Sequence, residues 1–324
     1  MLPNRLSPGD EIRVIAPSTS MAVIKGKQVE VATQRLNQLG FTVTFGKHVD
    51  DHDEFFTTSI EQRIENLHDA FRDPNVKGIL TALGGYHANQ LLNYIDYDLI
   101  KANPKVFCGY SDITALNAAI YQKTGLITYS GPFFSTFGVK YGIDYTLQSF
   151  LEAVTNDAPY EVNPSPTWSD DKWYLDQEER TFVEQEHYMV IHEGEAEGKL
   201  VGGNLSTLHL LQGTEYMPSL KDSILFIEED DEAHIHSFDR LLQSLLHLPE
   251  ATSIRGILIG RFQKASNVTE AAIKLVIASK KELTHIPVIA NVNFGHVQPI
   301  ATIPMGANAA ISASGSTTTI TINA

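Results

Sequence analysis

Four short segments carry side chains whose types and placement suit acyl-transfer chemistry. In KVFCGYSDITALNAAIYQ (105–122) a β-like run breaks at Gly109, presents Ser111 and passes into a helical pattern. A serine at a sharp strand-to-helix turn sits at the carboxyl edge of a sheet, where open α/β sheets bind ligands, and the amide dipoles of the helix start favour an oxyanion beside it. G-Y-S-D-I lacks the second glycine of the G-x-S-x-G elbow, and a bare N-cap is the plainer reading of that serine. In TALGGYHANQLL (81–92) Gly84 and Gly85 follow a strand and leave backbone N–H groups open to a ligand. The segment is neither G-x-G-x-x-G nor a P-loop, and a tight turn accounts for it equally well. In SILFIEEDDE (223–232) Glu228 stands where a buried strand emerges, a place from which a carboxylate can orient an imidazole. The same acidic run also suits magnesium or calcium, although no complementary ligand set is apparent elsewhere. His296 follows Gly295 after the strand-like PVIANVNF, but it is one of 12 histidines, so position alone says little about it.

The elements that must position these groups can be read from hydrophobic periodicity. Ile12–Ala16 reads as a strand ending at Pro17 and Ser18. Residues 28–39 place Val29, Ala32, Leu36 and Leu39 at helical spacing with Gly40 as the stop. FTVTF (41–45) alternates as a strand, and Ser59 with Gln62 predicts a capping box for a helix carrying Ile60, Ile64, Leu67 and Phe71. Val76–Ala82 and Lys105–Gly109 complete a strand–helix alternation, which implies a mostly parallel sheet covered by helices. The pattern restarts near GKLVGGNLSTLHLLQG (198–213), with later strands in SILFIEED and GILIGRF and helices near 236–248 and 269–283. The tail predicts a hairpin turning at Ser314-Gly315. The expected organisation is an α/β fold: an N-terminal α/β domain over 1–155, a tryptophan-bearing connection or flap over 156–185, and a smaller C-terminal α/β domain with its own sheet over 186–324. The connection holds both tryptophans, Trp168 and Trp173, and shows neither helical nor strand period.

Composition bounds the partners. A net charge of −15 disfavours phosphate backbones and anionic lipid, so neither nucleic acid nor a membrane surface is expected. No apolar run is long enough to span a bilayer and the N-terminus lacks a signal-like core, which gives a cytoplasmic expectation. The single cysteine, Cys108, reads as a buried thiol and excludes a disulfide framework.

Taken in order, Gly-Tyr-Ser-Asp, Phe-Ile-Glu-Glu-Asp and Phe-Gly-His-x-x-Pro resemble the serine LD-carboxypeptidase family, from VIAPS (14–18) to IPMGA (303–307). That family includes murein-recycling enzymes and self-immunity peptidases against microcin C. The resemblance implies Ser111 as nucleophile, Glu228 as orienting acid and His296 as base, with oxyanion donors on Asp112 and on the Gly84-Gly85 turn, at Gly85. It implies no metal and no organic cofactor. Gly84-Gly85-Tyr86-His87-Ala88-Asn89 and Gly202-Gly203-Asn204-Leu205-Ser206 are closer to the immunity branch. There the counterpart of Asn204 holds the aminoacyl part, and a loop tryptophan, here Trp173 or failing it Trp168, stacks on the base of an aminoacyl-nucleotide. The expected substrate is therefore an aminoacyl- or peptidyl-nucleotide, with a murein tetrapeptide as the alternative. The resemblance also implies a homodimer. A non-enzymatic two-lobed binding module is the remaining reading, disfavoured by the absence of an export signal.

Overall fold

The computed structural model describes residues 1–323. The N-terminal half alternates strands Glu11–Ile15 (β1), Thr42–Phe45 (β2), Val76–Thr81 (β3), Val106–Cys108 (β4) and Thr128–Ser130 (β5) with helices Gly26–Gln38 (α1), Ile60–Arg72 (α2), Tyr97–Ala102 (α3), Thr114–Thr124 (α4) and Asp144–Thr155 (α5). The expected periodicities account for these elements. In α1 the side chains of Ala32 and Leu36 are buried, with Val29 and Leu39 packed against the same core, and Gly40 follows the C-cap at φ +96°. In α2 Ser59 caps the Gln62 N–H as expected, but the Gln62 side chain does not return to the cap. It accepts instead from Thr58 and donates toward His48 and Asp51, so only half of the box forms.

Beyond residue 155 come strands Tyr160–Glu161 (β6), Thr167–Trp168 (β7), Val183–Glu184 (β8), Met189–His192 (β9), Gly194–Asn204 (β10), Ser223–Glu228 (β11), Gly256–Gly260 (β12), Val288–Val292 (β13), Ile303–Met305 (β14), Asn308–Ser314 (β15) and Thr317–Asn323 (β16). Helices Leu205–His209 (α6), Ile235–Leu246 (α7) and Glu270–Ala278 (α8) lie between them. Two sheets result. The first runs β14-β5-β4-β3-β1-β2, parallel except where β14 joins β5; the second runs β6-β16-β15-β10-β11-β12-β13-β9, with a parallel centre β10 to β13. Every residue of β11 is buried, as expected for a central parallel strand covered on both faces. Each of its fully covered side chains, Ile224, Leu225, Phe226 and Ile227, contributes about 1.5–3 kcal/mol of burial.

Three details differ from the periodicity reading. The connection is not structureless: β6 joins the second sheet, and β7 pairs with β8 in a separate two-stranded ribbon. Strands of two residues are too short to show a period. The terminal hairpin turns at Gly315-Ser316, between the paired Ser314 and Thr317, one position beyond Ser314-Gly315. The segment Ile303–Met305 crosses into the first sheet, so the chain that leaves β13 visits the other lobe before returning to the second sheet as β15 and β16. Among the described residues no helix is long and apolar enough to cross a membrane.

Candidate active site

Strand β4 ends at Cys108, and Gly109 and Tyr110 turn the chain so that Ser111 opens a one-turn 3-10 segment leading into α4. Ser111 has φ +58°, in the left-handed region, which costs a residue with a side chain about 1–2 kcal/mol. The surroundings hold it there. Asn117, one turn into α4, donates from Nδ2 to the Gly109 carbonyl at 2.8 Å, and the Gly109 N–H donates to Tyr129 O at 3.1 Å. Helix α4 is covered almost all round, including Leu116, Ala119 and Ile120, and Ile113 just before it is buried too, so the elbow rests on a buried support.

Ser111, Glu228 and His296 meet although 68 and 185 residues separate the pairs in sequence. His296 Nε2 lies 2.9 Å from Ser111 Oγ, and His296 Nδ1 lies 2.6 Å from Glu228 Oε2. A carboxylate only accepts, so Nδ1 carries the proton and Nε2 is left to accept from the serine hydroxyl. Glu228 is buried at the end of β11, and its Oε1 has no protein partner. The ring of Tyr110 stands edge-on to His296 at 5.2 Å and stacks on Phe133 at 4.1 Å, forming an apolar wall. Burial of His296 alone would lower its pKa. The charge and hydrogen bond of Glu228, with Asp230 and Glu229 beyond, outweigh that and leave it raised above 6.5. Burial, reinforced by Glu228, pushes the Tyr110 hydroxyl far up, so it stays neutral.

The glycine turn abuts this relay. A Cβ on Gly84 would lie 3.0 Å from Ser111 Cβ and 3.1 Å from its Oγ. The Gly84 carbonyl accepts from Thr19 N–H at 3.1 Å, and Gly85 has φ +140°. Among the described residues, neither the Gly85 nor the Asp112 N–H donates to a protein acceptor. The Asp112 side chain is turned inward, its Oδ2 accepting from Ser18 Oγ at 2.5 Å and from Ala88 N–H at 2.8 Å.

Asn204 ends β10, paired in register with Glu228, and caps α6: its Oδ1 accepts from Thr207 N–H at 3.0 Å and Thr207 Oγ1 at 2.9 Å. Its Nδ2 reaches toward Glu229 Oε2 at 3.5 Å. Glu229 is itself buried and receives the Ser206 hydroxyl at 2.8 Å; burial, with the neighbouring charges of Glu228 and Asp230, raises its pKa to about 8 against the Ser206 bond.

The two tryptophans differ. The π face of Trp168 is already engaged by Arg261 at 4.6 Å and Lys264 at 4.8 Å. Trp173 is half-buried and meets Tyr174 edge-on at 6.1 Å. The connection is pinned beside the histidine loop, because Ser169 and Gln298 exchange backbone hydrogen bonds at 2.8 and 2.9 Å and Arg180 bonds both Asp171 and Gln298 Oε1. Among the described residues, no group of three or more His, Cys, Asp or Glu is arranged to hold a metal ion, and the acidic run beyond Glu228 forms no such cage. Sequence reasoning gave no role to Ser18, Arg63, Asn117, Ser206 or Glu229, although all but Arg63 fell within segments it had singled out for chemistry or for the resemblance.

Comparison with known proteins covers nearly the whole chain. Residues 12–131 match the LD-carboxypeptidase N-terminal domain and residues 197–311 the LD-carboxypeptidase C-terminal domain. The presumptive carboxypeptidase YocD of Bacillus subtilis is 54% identical over 100% of this chain and 99% of that protein. A Bacillus subtilis protein described as a "probable murein peptide carboxypeptidase" is 32% identical over 98% of this chain and 93% of its own length. The crystal structure of an MccF-like protein from Bacillus anthracis superposes with a TM-score of 0.98 at 56% identity, covering 99% of both chains. The microcin C7 self-immunity protein MccF, a protein of Escherichia coli, in complex with aspartyl sulfamoyl adenosine superposes with a TM-score of 0.89 at 30% identity, covering 99% of this chain and 98% of that one.

Proposed function

The chain belongs to the LD-carboxypeptidase family, an enzyme of serine-hydrolase type, and on that premise we propose that Ser111, His296 and Glu228 form its catalytic triad. The observation that carries the reading is the unbroken relay from Ser111 Oγ through His296 to Glu228 Oε2, at 2.9 and 2.6 Å. His296 Nε2 takes the hydroxyl proton as Ser111 Oγ adds to the scissile carbonyl. Glu228 holds the ring with its proton on Nδ1 and stabilises the imidazolium. The N–H groups of Gly85 and Asp112 receive the oxyanion. The imidazolium then gives its proton to the leaving nitrogen, and water, deprotonated by the same ring, releases the acyl group.

The substrate class we propose is an aminoacyl- or peptidyl-nucleotide whose amide-type bond is cut, as in detoxification of a microcin C-like compound. MccF, which shares this fold, is seen in complex with aspartyl sulfamoyl adenosine, and that supports the reading. Asn204 stands beside Glu228 and is the candidate contact for the aminoacyl part, and the half-buried ring of Trp173 is the candidate platform for the base. Trp168 is the weaker candidate, because Arg261 and Lys264 already occupy its π system. The second reading is removal of the terminal D-residue of a murein tetrapeptide, which the 32%-identical murein peptide relative keeps open.

A side-by-side assay on aspartyl sulfamoyl adenosine and a murein tetrapeptide decides between them. Hydrolysis of the first alone supports the nucleotide reading, and hydrolysis of the second alone replaces it. Turnover that survives Ser111→Ala but is abolished by chelator overturns the triad itself.

A further inference from the structure

Three residues away from the relay are connected more tightly than surface loops require. Ser18, in the loop after β1, donates its hydroxyl to Asp112 Oδ2 at 2.5 Å and accepts the His87 N–H at 3.3 Å. Asp112 Oδ2 also accepts the Ala88 N–H at 2.8 Å. Arg63, buried in the interior of α2, donates from Nη1 to the carbonyls of Pro17 at 3.2 Å and His87 at 2.9 Å, and from Nη2 to Gln90 Oε1 at 2.7 Å. Burial lowers the Arg63 pKa, and the charges of Asp112, Asp53 and Glu61 offset only part of that. The segment between these anchors is the glycine turn. A side chain at Gly85 would meet Thr19 Oγ1 at 2.2 Å and Ser18 Oγ at 2.6 Å, so the turn lies flat against the Ser18 loop.

We infer that the Asp112 carboxylate and the Ser18 hydroxyl are positioning residues that clamp the Gly84–Ala88 turn into the geometry of an oxyanion hole, with Arg63 fixing the far side of both loops. The inference rests on the oxyanion assignment above and extends it. Asp112 is adjacent to the nucleophile in the chain, so one residue contributes its N–H to the hole and uses its side chain to set where the second donor, on Gly85, stands. A single hydrogen bond from Thr19 N–H to the Gly84 carbonyl orients the peptide locally. Because a trans peptide directs its N–H opposite to its carbonyl, fixing that carbonyl fixes the direction of the Gly85 N–H. The carboxylate then keeps the whole turn from drifting away from Ser111. Preorganised donors are effective only where they are already aimed at the developing charge, so the clamp acts on turnover and hardly at all on ground-state binding.

One oxygen of Asp112 takes both bonds, which gives the test its internal control. An amide can present its one carbonyl oxygen in the same place, whereas alanine can present nothing. Turnover of aspartyl sulfamoyl adenosine, and affinity for phenylboronic acid as a probe that places a tetrahedral oxyanion on the serine, are measured for the wild type, Asp112→Ala, Asp112→Asn, Ser18→Ala and Ser111→Ala. Asp112→Ala is expected to lose between about tenfold and a hundredfold in kcat, less than the roughly 10²–10³ of losing a donor outright. KM should change by less than about twofold, and phenylboronic acid should weaken in step with kcat/KM. Asp112→Asn should regain most of that loss, and Ser18→Ala should show the same kcat-only pattern in smaller degree.

Wild-type kcat in both alanine variants overturns the clamp, as does a loss confined to KM or an Asp112→Asn no better than alanine. If Asp112→Ala fails to fold, Ser18→Ala and Asp112→Asn decide by the same criteria. Ser111→Ala keeps the two claims apart: full turnover in that variant overturns the triad reading, while a dead Ser111→Ala beside a fully active Asp112→Ala overturns the clamp alone.

Discussion

Gly295→Ala is the most demanding test of the relay, because it changes neither a titrating group nor a residue in the sheets. Gly295 immediately precedes the histidine and has φ +96°. A methyl group there would lie 2.5 Å from Glu228 Oε2 and 2.8 Å from both Glu228 Cβ and Cγ, where ordinary contact begins at 3.4 Å. The left-handed backbone costs about 1–2 kcal/mol for alanine and the overpacking about 1–3 kcal/mol more. Relief by moving the carboxylate requires a retreat of about 1 Å, and a misplacement of that size near reacting groups costs on the order of 10²-fold. The oxygen displaced is the one that holds His296 Nδ1. The expected result is therefore a kcat lower by about 10²-fold or more, with KM little changed. A modest fall in melting temperature should accompany it. Steady-state hydrolysis with a thermal melt on the same samples measures both. Gly260→Ala approaches the same carboxylate from another side, its Cβ meeting Glu228 Cβ and Phe294 O each at 2.7 Å, and should behave alike. A folded Gly295→Ala enzyme with wild-type kcat would show that the carboxylate does not orient the base.

The other expectations concern the same few groups. Glu228→Gln should cost about 10⁴-fold in kcat while leaving the fold intact, since the amide can stabilise the wrong tautomer of His296; steady-state hydrolysis measures it, and a loss under tenfold would argue against the triad. Because Glu228, Asp230 and Glu229 raise the His296 pKa, the acid limb of kcat/KM should lie above pH 6.5, with activity appearing as pH rises through it. Asp230→Asn should move that limb to lower pH, and a limb that stays put would remove Asp230 from the field at His296. Glu229 binds its proton more tightly folded, to about pH 8, than the ordinary 4.5, so its contribution to stability falls as pH rises between those values. The melting temperature of Glu229→Gln relative to wild type should thus be higher at pH 9 than at pH 5, and an unchanged difference would contradict the buried carboxylate. Trp173→Ala should weaken turnover of an aminoacyl-nucleotide by the roughly 1–3 kcal/mol of one stacked base while sparing a murein tetrapeptide. Equal effects on both substrates would remove Trp173 from the base site.

How much of this site was legible in the sequence follows from how local each signal is. The Ser111 elbow and the Gly84-Gly85 turn announce themselves because a strand end, a glycine and a helix start sit within a few residues. Glu228 is legible as the last position of an apolar run. The residues that support them are not: Arg63 lies among polar neighbours in an amphipathic helix, and nothing within its own segment shows that it is buried against two loops that come from elsewhere. Ser18 reads as a loop serine until Asp112, 94 residues on, is placed against it. Asn117 looks like a poor helix former inside ALNAA, and its use in closing the elbow onto Gly109 is visible only in three dimensions.

The least legible feature is a strand that ties the lobes together. Three residues of β14 carry no periodicity, yet they pair Ile303 with Ser130, Pro304 with Tyr129 and Met305 with Thr128 in the N-terminal sheet. The chain between β13, in the second sheet, and β14, in the first, carries His296. The imidazole is thus strung between the sheet that supplies Glu228 and the sheet that supplies Ser111, and each lobe holds one end of its segment. An imidazole borne on a single lobe would have its distance to the serine set by whatever angle the lobes adopt. Here the strand that ends the histidine loop is hydrogen-bonded into the first sheet, so opening the lobes would pull that edge strand from its sheet or strain the loop.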